Sequence, residues 1–152
     1  MKTVSAGILL YRYVDCAAEV FLVHPGGPYF AKKDDGVWSI PKGELSGSED
    51  PLETAKREFA EETGKAITGN TLFEYLGLFT QSEHKDIHVW ALEFDCGTDI
   101  KSNEFEMEWP KGSGTMQKFV EVDKAGWFSV DVARKKVFPG QAQIFNRLEE
   151  MV

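Results

Sequence analysis

Apolar positions fall in short runs separated by glycine, proline and acidic residues, and the runs change period along the chain. Residues 3–13 and 19–24 are rich in β-formers and predict two strands, with turn-like residues between them that favour a hairpin. Residues 25–36 (PGGPYFAKKDDG) predict a loop from their glycine and proline content, and 37–40 a short strand. Residues 71–81 alternate apolar and polar positions and predict a strand, paired through the Ser82–Lys85 turn with a second strand over 86–95. Residues 119–122 and 125–128 predict a final strand, and 130–135 a short helix. In 139–151, Ile144, Phe145 and Leu148 recur at helical spacing and predict a closing amphipathic helix. The stretch 98–118 mixes acids with aromatics. It fits either a loop anchored to the core or, through Phe105 and Trp109, part of a nucleoside pocket. Strands before and after a central helix predict helices packed on a mixed sheet, an α/β or α+β arrangement.

The central helix is the best-marked element. Asp50 supplies an N-cap carboxylate, Pro51 the first helical residue, Glu53 the capping-box spacing and Gly64 a left-handed C-terminal residue. Leu52, Ala55 and Phe59 form a narrow apolar stripe that should face a core. On another face Glu58, Glu61 and Glu62 stand at i, i+3 and i+4, where like charges repel mildly, and only Arg57 lies beside them. Such a face is either solvated or neutralised by a hard divalent cation, which takes carboxylate oxygens.

The wider spacing favours the cation. Gly43 is followed after five residues by Glu49, and after seven more by Arg57-Glu58-Phe59-Ala60-Glu61-Glu62-Thr63-Gly64. This resembles the signature box of the Nudix hydrolases, and the lead-in Trp38-Ser39-Ile40-Pro41-Lys42-Gly43 is similar too. Lys65 stands where the box has an apolar residue, and Ile67 is the candidate to supply that packing. The resemblance implies a single Nudix domain over 1–152, folded as an α/β/α sandwich with a mixed sheet. It implies Mg2+ or Mn2+ as cofactor, held by Glu58, Glu61 and Glu62 with the backbone carbonyl of Lys42. It further implies that Glu58 acts as ligand or as orienting base, that Arg57 pairs with Glu49 to hold the cluster, and that Gly43 and Gly64 shape the loops at either end. A general base outside the box varies in position among Nudix subfamilies. Glu121, shortly before Trp127, is the first candidate, with Glu83, Glu106 and Glu108 as alternatives. The implied reaction is attack of water on phosphorus, cleaving a phosphoanhydride in a nucleoside diphosphate linked to another group. Dinucleoside polyphosphates come first, with nucleoside triphosphates and ADP-ribose as rivals. A non-catalytic nucleotide-binding module and a diphosphate isomerase are the competing functions. Three repelling acids have no use in a pure binder, and neither Cys16 nor Cys96 lies near the box to serve an isomerase.

Composition narrows the partners. A net charge of −8 excludes nucleic-acid binding through a generally basic surface. An acidic protein that takes a polyphosphate needs a bound cation or local lysines. Lys32, Lys33 and Lys42 are the candidates for phosphate contact; for Lys32 and Lys33 an ordinary solvated loop position is an equal alternative. Two cysteines without CxxC spacing fit a reducing, cytoplasmic setting better than a disulfide framework. The first apolar run is a strand rather than a signal peptide, and no run reaches membrane-spanning length. His24, His84 and His88 have no metal-pair spacing, and His24 and His88 fit ordinary strand positions. The oligomeric state leaves no mark in the sequence.

Overall fold

The two apolar runs nearest the amino terminus pair at the centre of the molecule. In the computed structural model, which describes residues 2–67 and 72–152, they form β1 (Thr3–Val14) and β2 (Ala17–Pro25). Asp15 and Cys16 join them with positive φ values of 51° and 67°, a backbone that matches the twist of a two-residue hairpin. The ladder between them runs only from Tyr11↔Val20 to Val14↔Ala17. Beyond it the strands diverge. The amino-terminal half of β1 pairs instead with β3 (Lys42–Glu44) through Ser5–Gly7, while β2 runs antiparallel to β8 (Val122–Ser129). The chain before β3 fills the fork, with Val23 and Ser39 exchanging backbone hydrogen bonds and Ile8 N–H donating to the Pro41 carbonyl. On its other edge β1 is parallel to β5 (Lys85–Glu93), and β4 (Glu74–Ser82) is antiparallel to β5. The sheet order is β4–β5–β1–β2–β8, with β3 on β1.

Strand alternation sends successive side chains to two cores. Ala6, Ile8, Leu10, Phe21 and Val23 pack with Ala55 and Phe59 of helix α1 (Pro51–Thr63). Leu9, Tyr11, Val20 and Leu22 pack on the opposite face with Ala133 of α2 (Val130–Lys136) and Ile144, Phe145 and Leu148 of α3 (Ala142–Met151). Both faces are covered, so the expected α/β/α sandwich on a mixed sheet is the fold.

Several boundaries differ from the sequence reading. The strand expected over 37–40 makes only isolated bridges, Val23↔Ser39 and Trp38↔Val137, because the segment pairs alternately with β2 and with the end of α2. Thr71, the first residue of the strand expected over 71–81, lies outside the described residues; β4 starts at Glu74. The residues given to one final strand belong to two. A separate ribbon pairs β6 (Glu104–Glu108) with β7 (Met116–Val120), Glu121 breaks the run, and β8 enters the main sheet. Residues 139–151 divide into a 3-10 turn, Pro139–Gln141, and α3. Cys16 and Cys96 are both free. No helix among the described residues is long and apolar enough to cross a membrane.

Candidate active site

Helix α1 starts and stops where its caps dictate. The Asp50 carboxylate accepts from Glu53 N–H at 3.2 Å, and Gly64, at φ 73°, donates its N–H to the Ala60 carbonyl. Burial of Ala55 and Phe59 against β1 and β2 fixes the rotation of the helix, so that 57, 58, 61 and 62 emerge beside β3 and the fork. Leu52, expected in the buried stripe, is only half-buried, and Thr54 and Thr63 are buried instead. Ile67 packs into the α1-side core, while Lys65 pairs outward with Asp99 at 3.1 Å.

Arg57 organises the acidic residues. It donates to both oxygens of Glu49, from Nε at 3.1 Å and Nη2 at 3.0 Å. Its third nitrogen, Nη1, donates to Glu58 at 3.0 Å and to Glu61 at 3.2 Å. The Arg57 contact holds the Glu49 carboxyl down at about 2, and Glu49 in turn raises the guanidinium. With Arg57 substantially exposed, these pairs contribute little stability; they set geometry. Glu58 lies across Gly43 so closely that a Cβ there would come 2.0 Å from its carboxyl carbon. Glu62 turns the other way and accepts from Lys42 N–H at 3.4 Å. Lys42 and Gly43 are thus flanked by two carboxylates, Glu62 at the Lys42 N–H and Glu58 across the Gly43 Cα.

Burial pushes the Glu62 carboxyl up to about 8, the nearby Lys42 charge opposes that rise, and Glu58 and Glu121 add to it. Glu58 is raised as well, by burial first and then by Glu61. One guanidinium therefore leaves an excess of negative charge over the loop. Among the described residues, no three Asp, Glu, His or Cys side chains converge closely enough to hold an ion in this arrangement: Glu58 and Glu61 share Arg57, and Glu62 stands apart on Lys42. The donor set is nonetheless the all-oxygen kind that hard cations take, and the excess charge suits one.

Two hollows border the acidic face. A cavity of about 150 Å³ has an apolar wall of Val23, Pro25, Val37, Val122 and Phe138, and a polar wall of Ser39, Lys42, Glu62 and Glu121. A shallower one of about 570 Å³ lies against Glu44, Ser46, Glu49, Arg57 and Glu58. Glu121, at the break between β7 and β8, is thereby brought to the cluster. Glu83 sits in the exposed β4–β5 turn, and Glu106 and Glu108 on the exposed edge of the ribbon. Of the three lysines, Lys42 lines the cavity and Lys32 and Lys33 line neither hollow; Lys33 Nζ lies over the Phe30 ring at 5.8 Å.

Two buried polar residues stand out: His24, read from the sequence as an ordinary strand position, and Gln141, which the sequence reading did not single out. His24, fully buried, places Nδ1 2.7 Å from Asp123, donates from Nε2 to the Lys33 carbonyl at 2.7 Å, and meets Trp38 edge-on. Together with the Trp38 Nε1 hydrogen bond to Asp34 it ties the 25–36 loop to the sheet. Gln141, also fully buried, reaches the segment that fills the fork. Flanking apolar residues hint at a buried His24; nothing in the sequence marks Gln141.

A forked mixed sheet between two helical layers, with an acidic helix over a glycine loop, defines an α/β/α protein built around a carboxylate cluster. The profile of the NUDIX domain matches residues 1–148, and the chain belongs to the Nudix family. A 17.7 kDa uncharacterised protein from the e-segB intergenic region of Enterobacteria phage T4 is 34% identical over 91 residues, which span 59% of this chain and 58% of the phage protein. Three solved structures share the fold at low identity. A binary complex of the C. elegans Ap4A hydrolase has a TM-score of 0.70 at 17% identity, covering 98% of this chain and 96% of that one. The NUDIX domain of Shewanella oneidensis NrtR, complexed with ADP ribose, gives 0.64 at 16%, covering 100% and 90%. The MutT protein of Methanosarcina mazei Go1 gives 0.63 at 17%, covering 99% and 94%.

Proposed function

We propose that this chain, a single Nudix domain over 1–152, is a divalent-metal-dependent pyrophosphohydrolase that cleaves a phosphoanhydride in a nucleoside diphosphate linked to another group. The observation that carries this reading is the pair Lys42 and Gly43 flanked by Glu62, at the Lys42 N–H, and Glu58, across the Gly43 Cα, with Arg57 fixing Glu58 and Glu61 beside them. Glu58, Glu61 and Glu62 with the Lys42 carbonyl would hold Mg2+ or Mn2+. Such an ion screens the diphosphate charge and lowers the pKa of a bound water. The chain's own residues do the rest. Arg57 keeps Glu58 and Glu61 in register through Glu49. Lys42 offsets charge at the mouth of the cavity and meets a phosphate oxygen. Glu121, on the same cavity wall as Glu62, takes the proton from the water that attacks phosphorus. A phosphate leaving group needs little protonation, so positioning and electrostatics supply most of the rate.

Within this class a dinucleoside polyphosphate comes first, on the lead-in from Trp38 to Gly43, and nucleoside triphosphates and ADP-ribose follow. The test is a panel of these three substrate types with Mg2+ or Mn2+, analysed by product identity. An intact mononucleotide released from a symmetric dinucleotide supports the first choice. Turnover confined to another substrate moves the assignment there, and no turnover of any with either metal contradicts the hydrolase reading.

A further inference from the structure

The loop under the acidic helix is held from below by one buried amide. Gln141 ends the 3-10 turn before α3 and is fully buried. Its Oε1 accepts from Ile40 N–H at 3.1 Å, and its Nε2 donates to Ser39 Oγ at 2.9 Å and to Gln81 Oε1 at 3.3 Å. Every polar atom of this side chain is used, two of the three contacts being with residues 39 and 40.

Those residues lead directly to the site. Ser39 exchanges backbone hydrogen bonds with Val23 and lines the cavity that Glu62 and Glu121 share. Ile40 has no ladder partner for its N–H in the fork, and Gln141 provides one. Pro41, next in the chain, has no N–H to give; its carbonyl accepts from Ile8, and Lys42 N–H then reaches Glu62. The Gln141 end is equally fixed. A Cβ on the preceding Gly140 would come 1.7 Å from the Gln81 carbonyl oxygen, so the turn sits hard against the end of β4. A buried amide is unfavourable unless its partners are exact in place, so it specifies one position of the segment where an apolar side chain would allow several.

We propose that Gln141 is a positioning residue: from the far face of the sheet its amide sets residues 39–41, and through them Lys42 and Gly43 against Glu62 and Glu58. The inference rests on the hydrolase reading above. Residues that orient metal ligands from behind typically change affinity or activity by roughly 10–100-fold when removed, and a change in that range is expected here.

The test compares wild type with Gln141→Met, which keeps the volume and loses the amide, and with Leu148→Ala, which loosens α3 without touching the loop. Mn2+ affinity is measured by titration calorimetry, kcat and KM at saturating metal well below each melting temperature, and Ile40 amide exchange by NMR. Ser39→Ala replaces Gln141→Met if the latter does not fold. The expected result is weaker Mn2+ binding and lower kcat in Gln141→Met, each by roughly tenfold or more, with KM nearly unchanged and Ile40 exchange accelerated. Leu148→Ala, although less stable, keeps wild-type metal affinity and kcat. Metal affinity and kcat in Gln141→Met within about threefold of Leu148→Ala overturn the positioning role, since Gln141 then acts on stability alone. Wild type that neither binds Mn2+ nor turns over any nucleotide removes the hydrolase reading itself, and the two failures are told apart by the wild-type measurement.

Discussion

Glu62 carries the clearest electrostatic consequence of the site. Its carboxyl is raised from 4.5 to about 8 by burial, so between those values the folded chain keeps a proton that the unfolded chain has lost. The unfolded state then binds fewer protons, and stability falls as pH rises through this window. In chelator, the melting temperature should drop between pH 5 and pH 8, and Glu62→Gln should flatten that drop. Added Mg2+ binds the ionised form and should reverse it. Glu49 works in the opposite sense: lowered to about 2 by Arg57, it contributes stability that is lost as pH falls from 4.5 towards 2. Gly43 offers a steric test. Gly43→Ala drives a methyl into Glu58 and should lower stability by about 1–3 kcal/mol, the usual cost of overpacking, in thermal unfolding. It should lower kcat as well, because Glu58 must leave its place. At this scale the spacing of Glu58, Glu61 and Glu62 was legible, as was the need for glycine at 43. Gln141 was not, and for His24 only its apolar neighbours were, since Gln141 and His24 have polar partners 101 and 99 residues away.

Helix α1 was readable to within a residue because its signals are local: a capping carboxylate, a proline at the start and a left-handed glycine at the end. Asp50→Ala should lower stability by about 1 kcal/mol in chemical denaturation, the ordinary cost of losing an N-cap. It should leave KM near wild type, because Ala55 and Phe59, not the cap, fix the helix rotation. Elements defined by distant partners were harder. β3 is three residues, Lys42-Gly43-Glu44, with no apolar alternation; it exists because the edge of β1 is vacated where β2 diverges. β6 does alternate, with Phe105 and Met107 between Glu104, Glu106 and Glu108, and that period of two was a usable signal under a glycine-rich neighbourhood. The merger of β7 and β8 failed for a different reason. Glu121 breaks two β-prone runs that look continuous, and only the sheet shows that they pair with different strands.

Across the whole molecule, the fork in the sheet turns an ordinary α/β/α sandwich into a site. Divergence of β2 from β1 admits the 37–42 segment, brings Lys42 and Gly43 under α1, and leaves the cavity that Glu62 and Glu121 line. The mixed sheet with helices followed from the order of strands and helices, and the α/β/α layering from the family resemblance, but the fork did not, because it depends on where one ladder ends. On the proposed hydrolase function, a chain of net charge −8 needs cations near the cluster to offset repulsion of a polyphosphate. Turnover should therefore vanish in excess chelator and return with Mg2+ or Mn2+, and Glu61→Gln should lower kcat by roughly 10²-fold or more without lowering the melting temperature. The most direct measurement is anomalous diffraction from a crystal soaked in Mn2+. The account predicts a peak among Glu58, Glu61, Glu62 and the Lys42 carbonyl, with coordinating oxygens at roughly 2–2.5 Å. A fully exchanged crystal with no peak there, and with Glu58 and Glu61 still bound to Arg57, would contradict it.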